Sequence, residues 1–516
     1  MTVDVVGPAW AREGLGQRNP RYPLAVEGPV MRAVEQLVPG LSSQTRYARY
    51  FSLYAATAAE AERGGLDDAR CRDLLRRAEV LLAAVQIEAA EEAEGNGADP
   101  ADALWPHGHD GVRPRLSEGS LALGDAADRY SPRHWGFWAQ YGGPARVLGL
   151  VDHGRDGFRP GRHGCPDGVR DLLAPLLALA ATEAPDIGRA ALAGAGRAAL
   201  GESCPVEREW LVSVLTATEQ GVHEPPRWGP ADRTRRATLR TLGRAVDLHG
   251  GDSCAEAMRS AVVFGPRLAE DPVLASIREA AGWRGLLLRH YSVSAWRRLW
   301  ADLVGHVGGE EGESGSGDMS AADLRDWLAD QVPGGTVSSE LAALGPLTSR
   351  AGHPERVEPG LLEEERSPWR DVRLLLAGGL RSREGALGGD ARAVFLGGRP
   401  EFLDPRWVEG LVREYGDRPV RDLAARLVDD MLAQSRRVAL RKLRPDPATG
   451  GLKIFSRLHM RNDRYFKSDD ESDAEIGTRI PQLRSFAVQL GLFAEGRGSI
   501  ALTDAGRRIL DLEVAA

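Results

Sequence analysis

Phosphate chemistry is what the side chains suggest first. Between Gln434 and Lys467 stand ten basic residues, Arg436, Arg437, Arg441, Lys442, Arg444, Lys453, Arg457, Arg461, Arg464 and Lys467, against Asp446 and Asp463, a local charge of +8. Such a density attracts phosphodiester oxygens and displaces their counterions. Phe455, Tyr465 and Phe466 lie among the charges, where their rings either stack on unpaired bases or pack inward. Of the 66 basic residues in the chain only Lys442, Lys453 and Lys467 are lysines, and all three fall in this segment. An acidic run follows directly: Asp469, Asp470, Glu471, Asp473 and Glu475. On sequence grounds it shields the basic segment, mimics nucleic acid in the unbound state, holds a divalent cation, or is simply a second solvated face that neutralises the first.

Other chemistries leave weaker marks. A P-loop needs a lysine directly after glycine to cradle phosphates, and none of the three lysines has one. Gly194-Ala-Gly196-Arg-Ala-Ala199 matches the dinucleotide fingerprint in letters, but it follows an alanine-rich helical stretch rather than a buried strand, so close helix packing is the expectation. No Gly-x-Ser-x-Gly nucleophile elbow occurs. Arg/His pairs such as Arg284/His290 occur no more often than the arginine content dictates. His107, His109 and Asp110, and His163 with Cys165, have metal-binding side chains without a visible third or fourth ligand, so a polar loop is expected and no metal or cofactor is assigned. The catalytic residues of any enzyme here stay unknown.

The elements that position the basic segment read as helices. Apolar residues recur at helical spacing through most of the chain, as at Leu74, Leu75, Ala78, Leu81, Leu82 and Val85. Breaks are expected at Glu91 to Gly124, Gly221 to Asp232 and Gly305 to Ser320, the last rich in glycine and glutamate and read as a flexible linker. One internal repeat appears, Leu148-Gly-Leu-Val-Asp-His-Gly-Arg155 against Leu490-Gly-Leu-Phe-Ala-Glu-Gly-Arg497. Each copy predicts a helix running into a two-stranded wing. In the second, a helix from Arg479 to Leu490 stops at Gly491, Ile500 and Leu502 pair back, and Thr503 caps a last helix. In the first, Gly142 and Gly143 are expected to interrupt the helix. The predicted fold is mainly α, a multi-domain helical protein with small winged-helix-like α/β modules: residues 1–165 ending in one such module, 166–304, a linker at 305–320, 321–435, and 436–516 with the basic segment and the second module.

The chain has 516 residues, enough for about three or four domains at roughly 150 residues each. Its net charge is −8, so any nucleic-acid surface is local. Four dispersed cysteines, Cys71, Cys165, Cys204 and Cys254, fit a reducing compartment better than a disulfide framework. No stretch has the length and apolarity of a signal peptide or a membrane span, and a soluble cytoplasmic protein is expected.

Pro39-Gly-Leu-Ser42-Ser-Gln-Thr45-Arg46-Tyr-Ala-Arg49-Tyr50 has the form Pro-Gly-x-Ser-x-x-Thr-x-x-x-Arg-Tyr, with Ser42 or Ser43 expected to cap a helix carrying Arg46, Arg49, Tyr50, Phe51 and Tyr54. This box resembles one found in bacterial protein families encoded in phage-defence islands. Leu288-Arg-His-Tyr-Ser-Val-Ser-Ala-Trp296, Val438-Ala-Leu-Arg-Lys442 and Leu502-Thr-Asp-Ala-Gly506 resemble further parts of those proteins. The resemblance implies defence against foreign DNA beside partners that supply helicase or nuclease activity, and it carries over no catalytic residue. Arg46 and Arg49 read as structural ion pairs ahead of phosphate or partner contacts. The leading expectation is a non-enzymatic DNA-binding subunit. Arg436, Arg437, Arg441, Lys442, Lys453, Arg457, Arg461 and Arg464 would touch phosphate, and Arg479 and Arg484 would face a groove from the helix before the wing. The alternatives are a nuclease with a composite carboxylate or histidine site, and an adaptor whose basic segment docks a partner protein.

Overall fold

The computed structural model describes residues 22–97, 99, 104–116, 119–154, 157–183, 186–218, 228–251, 253–308, 317–445, 451–496 and 498–513, and the backbone of 11–13. The chain is mainly helical, with small sheets of two or three strands. It divides into two compact units, Met1–Glu35 with Met258–Thr478, and Gln36–Ala257 with Arg479–Ala516. The expected segment 436–516 is thus shared between the units at Thr478/Arg479, and both flanks of the expected linker belong to the first. Of that linker, residues 309–316 lie outside the described residues; beside them, Gly308 N donates to Gly317 O at 3.0 Å.

In the first unit the helix Arg278–His306 is buried on nearly every face, which suits a helix enclosed by others. Gly285 lets it approach Gly389–Leu396: a Cβ there would lie 2.1 Å from the Ala391 carbonyl oxygen. Its buried cations are all used. Arg289 donates to the carbonyls of Phe395 (2.7 Å) and Leu396 (2.9 Å), closing the end of the neighbouring helix, and Arg298 lies 2.6 Å from Asp371. His290, singled out beside Arg284, sits with Nε2 2.8 Å from the Ile476 carbonyl, a buried structural contact. The helix Val420–Arg441 packs on Ala321–Asp330 and leads into two small sheets, Leu452–Ile454 between Ala11–Glu13 and Arg444–Pro445, and Arg464–Lys467 between Leu458–Arg461 and Met319–Ser320.

The second unit is built on Asp68–Gly95, started by Asp67, whose side chain accepts from Arg70 N at 2.8 Å. This helix runs through the front of the expected break at Glu91, and a further helix, His109–Leu116, lies within that break. The repeat is structural in this unit. Its first copy is the helix Trp138–Val147 and the hairpin Val151–Gly154/Gly157–Pro160; its second is Ile480–Gln489 and Phe493–Gly496/Ser499–Leu502, followed by Asp504–Ile509 with Thr503 accepting from Gly506 N at 2.9 Å. The helix stops match bond for bond. Gly149 and Gly491 both have φ +73°, Leu150 N donates to Ala145 O (2.9 Å), and Leu492 N donates to Ala487 O (2.8 Å). Gly142 and Gly143 do not break the first helix, which runs through both, and at Gly142 a Cβ would meet the Trp138 ring at 2.7 Å, so the close packing of that ring requires glycine.

The matched stops make a direct comparison. A Cβ on Gly491 would meet only Arg208 Cδ at 3.9 Å, an ordinary van der Waals distance, so Gly491→Ala is expected to lose only the left-handed preference, about 1 kcal/mol. A Cβ on Gly149 would lie 2.7 Å from Arg162 Cγ, so Gly149→Ala is expected to cost more. Thermal or urea unfolding of the two variants gives the ranking, and the reverse order would contradict it.

The Pro39–Tyr50 box lies in the same unit, and its residues hold one another. Gly40 has φ +87°, and Thr45 Oγ1 donates to Ser42 O (2.8 Å) while accepting from Ser42 N (3.1 Å). Neither serine caps the helix that follows. It begins at Arg49 after Ala48, whose N–H is met instead by Gln489 Oε1 at 2.9 Å, while Tyr141 Oη accepts from Arg46 N at 2.9 Å.

Candidate nucleic-acid interface

The last turns of Val420–Arg441 decide where the basic segment presents its charge. Leu427, Val428, Met431, Val438 and Ala439 bury one face, which leaves Arg436, Arg437 and Arg441 on the exposed side at the helix C-terminus, where cations complement the helix dipole. Lys442 follows as the cap residue, its Nζ 3.3 Å from the Tyr22 carbonyl. Arg437, Arg441 and Lys442 line a cleft of about 750 Å³ in the first unit, together with Arg32, Arg399, Tyr22 and Phe402. The Arg437 guanidinium lies over the Phe402 ring, 4.2 Å from its centroid, a stacked cation–π pair.

Two carboxylates enter this cleft, and each already has an arginine. Glu401 lies 3.3 Å from Arg32, and Glu27 Oε1 accepts from Arg297 at 2.9 Å. Arg399, Arg437 and Arg441 have no carboxylate within salt-bridge distance among the described residues. Glu27 is 1% exposed, and among the described residues its Oε2 has no hydrogen-bond partner. Burial raises its carboxyl above the ordinary range, against a hydrogen bond from its own backbone N–H and the pull of Arg297 and Lys442.

The other predicted contacts go elsewhere. Arg436 is exposed but does not line the cleft. Lys453 is half-buried on the central strand of its sheet. Arg461 is exposed with its guanidinium 5.1 Å from the Phe466 ring centroid, and Arg464 is exposed 4.0 Å from Asp323 while donating to the Asp318 carbonyl. Arg457 departs from the expectation of phosphate contact: it is 9% exposed, lies 3.2 Å from Asp469 and 3.7 Å from Glu471, and donates to the Asp470 carbonyl. Its charge is balanced inside the fold by these two carboxylates.

The acidic run is therefore an internal counter-charge. Besides holding Arg457, it pairs Asp470 with Lys467 (2.8 Å), Asp473 with Arg366, and Glu475 with Arg298 (3.9 Å). In the second unit, Arg484 forms an ion pair with Glu495 of the wing, and Arg479 takes a left-handed conformation (φ +61°) with Nη1 donating to Val38 O at 3.2 Å. Both arginines expected to face a groove thus have partners within their own unit.

Arg32, Arg399, Tyr22, Glu27 and Phe402 do not stand out in the sequence. The one signal that marks some of them is the loop Gly397-Gly-Arg-Pro-Glu-Phe402, whose glycines and proline suit a turn that displays Arg399 beside an aromatic ring.

The histidine candidates are structural. His107 stacks on Phe137 (4.9 Å between centroids), and burial pushes its pKa down to about 4, so the ring is neutral at pH 7. His109 Nδ1 lies 2.9 Å from Pro106 O and its Nε2 3.1 Å from Asp110. Among the described residues, no three His, Cys, Asp or Glu side chains are grouped to hold a metal ion, and no helix is long and apolar enough to cross a membrane. Comparison with family models, curated proteins and solved structures finds no match for this chain.

Proposed function

We propose that the chain binds single-stranded DNA through the cleft at the end of Val420–Arg441, as the nucleic-acid-contacting member of a bacterial assembly acting against foreign DNA. The observation that carries the reading is the charge balance of the cleft: five cations line it against two carboxylates, and Arg399, Arg437 and Arg441 have no carboxylate within salt-bridge distance among the described residues. Excess positive charge in a concave site attracts a polyanion, and the low-dielectric walls focus the field. The size favours a single strand, since about 750 Å³ is the scale of a small-molecule pocket and far too small for a duplex. The Arg437–Phe402 pair adds a flat surface of the kind on which unpaired bases stack. The role in defence rests on the resemblance of the Pro39–Tyr50 box and its companion segments.

Fluorescence anisotropy of the purified protein with labelled single-stranded DNA, across a salt series, tests the reading. Binding should weaken steeply with salt. In Arg437→Ala combined with Arg441→Ala the slope of log affinity against log salt should fall by about 0.7 for each phosphate that is no longer neutralised. No binding at low salt, or a slope unchanged in the double variant, would overturn it.

A further inference from the structure

We infer that the cleft is complete for a run of three phosphates: Arg437 and Arg441 take two neighbours on the strand, Arg399 takes a third, and a three-nucleotide piece of single strand fills the site. This rests on the nucleic-acid reading above and deepens it by naming the length of ligand that the site takes.

The spacing of the lining residues comes first. Gln434, Arg437, Val438, Arg441 and Lys442 line the cleft from Val420–Arg441 and its cap, at i, i+3, i+4, i+7 and i+8, so they form one stripe along one helix. At about 1.5 Å of rise per residue this wall of the cleft is about 12 Å long. Arg437 and Arg441 stand one turn apart on it, about 6 Å along the axis, a separation comparable with that of neighbouring phosphates in an extended strand. The charged track goes no further in either direction. Gln434 closes one end by donating to the Leu24 carbonyl at 2.8 Å, Asp430 and Met431 behind it are buried, and at the other end the helix stops at Lys442.

The charges give the same length independently. Of the five cations, Arg32 is held by Glu401 at 3.3 Å, and Lys442 has its Nζ 3.3 Å from the Tyr22 carbonyl while its charge acts on the Glu27 carboxyl. Arg399, Arg437 and Arg441 remain, with no carboxylate within salt-bridge distance among the described residues. Phe402 brings the first of them to the other two: its ring lies under the Arg437 guanidinium, 4.2 Å from centroid to carbon, and Arg399 stands three positions before it on the same loop. A groove that tracks a strand over many nucleotides spreads its cations along a channel. Here they are gathered around one helical turn, in a volume of about 750 Å³ that holds only a few nucleotides.

The probes are 5′-phosphorylated oligothymidylates of one to ten nucleotides, in which phosphates and nucleotides are equal in number, each used to displace a labelled ten-nucleotide strand from the purified protein. Affinity should rise several-fold with each nucleotide up to three and then level off, and the slope of log affinity against log salt should level at about 2, the value for three phosphates on a single strand. Arg399→Ala should bring the levelling forward to two nucleotides and lower the final slope by about 0.7. The length series uses the unaltered protein, so it decides the matter even if Arg399→Ala does not fold. Steps that continue past four nucleotides, or levelling at one, would overturn the three-phosphate inference and leave the DNA-binding reading standing. Absence of binding to the ten-nucleotide strand at low salt would overturn both.

Discussion

Replacing Arg49 with alanine is expected to cost the unit that contains it about 4 kcal/mol of stability, because the change strands a buried carboxylate. Arg49 is 5% exposed. Its Nε lies 2.7 Å from one oxygen of Glu207 and donates to the other at 2.9 Å, while the rest of the guanidinium donates to the carbonyls of Arg197 (3.1 Å), Ala199 (2.9 Å) and Glu202 (2.7 Å). Two of those acceptors belong to the Gly194–Ala199 string, which thus serves as a docking surface for a side chain and not as a dinucleotide loop. Removing the arginine leaves Glu207 charged and the carbonyls of Arg197 and Glu202 without that donor, while Ala199 O keeps the Glu202 N–H at 3.2 Å. Lysine keeps the charge but offers one compact donor group in place of a planar fork, so Arg49→Lys should fall between wild type and alanine. The urea midpoint of this unit's transition measures the order, and a loss below about 1 kcal/mol would mean that the pair behaves like an exposed one.

The second large effect belongs to Glu79 and depends on pH. Its carboxyl is fully buried and gathers four donors: Tyr54 Oη (2.7 Å) and Trp138 N (3.0 Å) on Oε1, and Phe137 N (2.9 Å) and Tyr130 Oη on Oε2. It thereby ties two long helices to the start of the first repeat helix. Burial nevertheless outweighs the donors and pushes its pKa up to about 7 from the usual 4.5. Between those values the folded protein keeps a proton that the unfolded chain has released. The stability contributed by Glu79 is therefore fully present below about pH 4.5, falls as pH rises, and is lost above about pH 7.

Glu79→Gln does not titrate, and its amide nitrogen faces a backbone N–H that has no other acceptor. The variant is expected to be about 3 kcal/mol less stable than wild type near pH 5, with the gap closing towards pH 8. Thermal melts of both proteins across that range test this, and a gap that stays constant with pH would remove Glu79 as the titrating group. His107 lies in the same cluster with its pKa lowered to about 4 from 6.5, so its own contribution to stability grows as pH rises between those values, but it does so in both proteins and cancels from the gap.

Arg49 also shows how far a motif can be read. The Pro39–Tyr50 box is visible as a pattern, and its second arginine reads from the sequence as half of an ion pair, which the structure bears out. Glu207 lies 158 positions away, and nothing local in the chain names it. The same holds in the cleft. The density of cations between residues 436 and 467 is plain, yet it does not separate Arg437 and Arg441, which line the cleft, from Arg457, which is buried against Asp469 and Glu471. Charge counts treat those three arginines alike, and packing does not.

What the sequence by itself determined is local. Helical periodicity foretold a mainly helical chain. Gly491 and Thr503 announced the stop and start of the last helices, and the Leu148–Arg155/Leu490–Arg497 repeat announced two helix-and-wing modules whose stops match down to the φ of Gly149 and Gly491. Each of these rests on interactions within a few residues, where glycine's freedom, a capping hydroxyl or an apolar stripe acts directly. Only the tertiary structure decided which charges neutralise one another, that the acidic run is the counter-charge of Arg457, and that Glu27, Arg399 and Phe402 join Arg437 around one cleft. The physical reason is that an ion pair or a cleft wall is fixed by distance in space, and burial decides whether a charge is consumed inside the fold or left for a ligand.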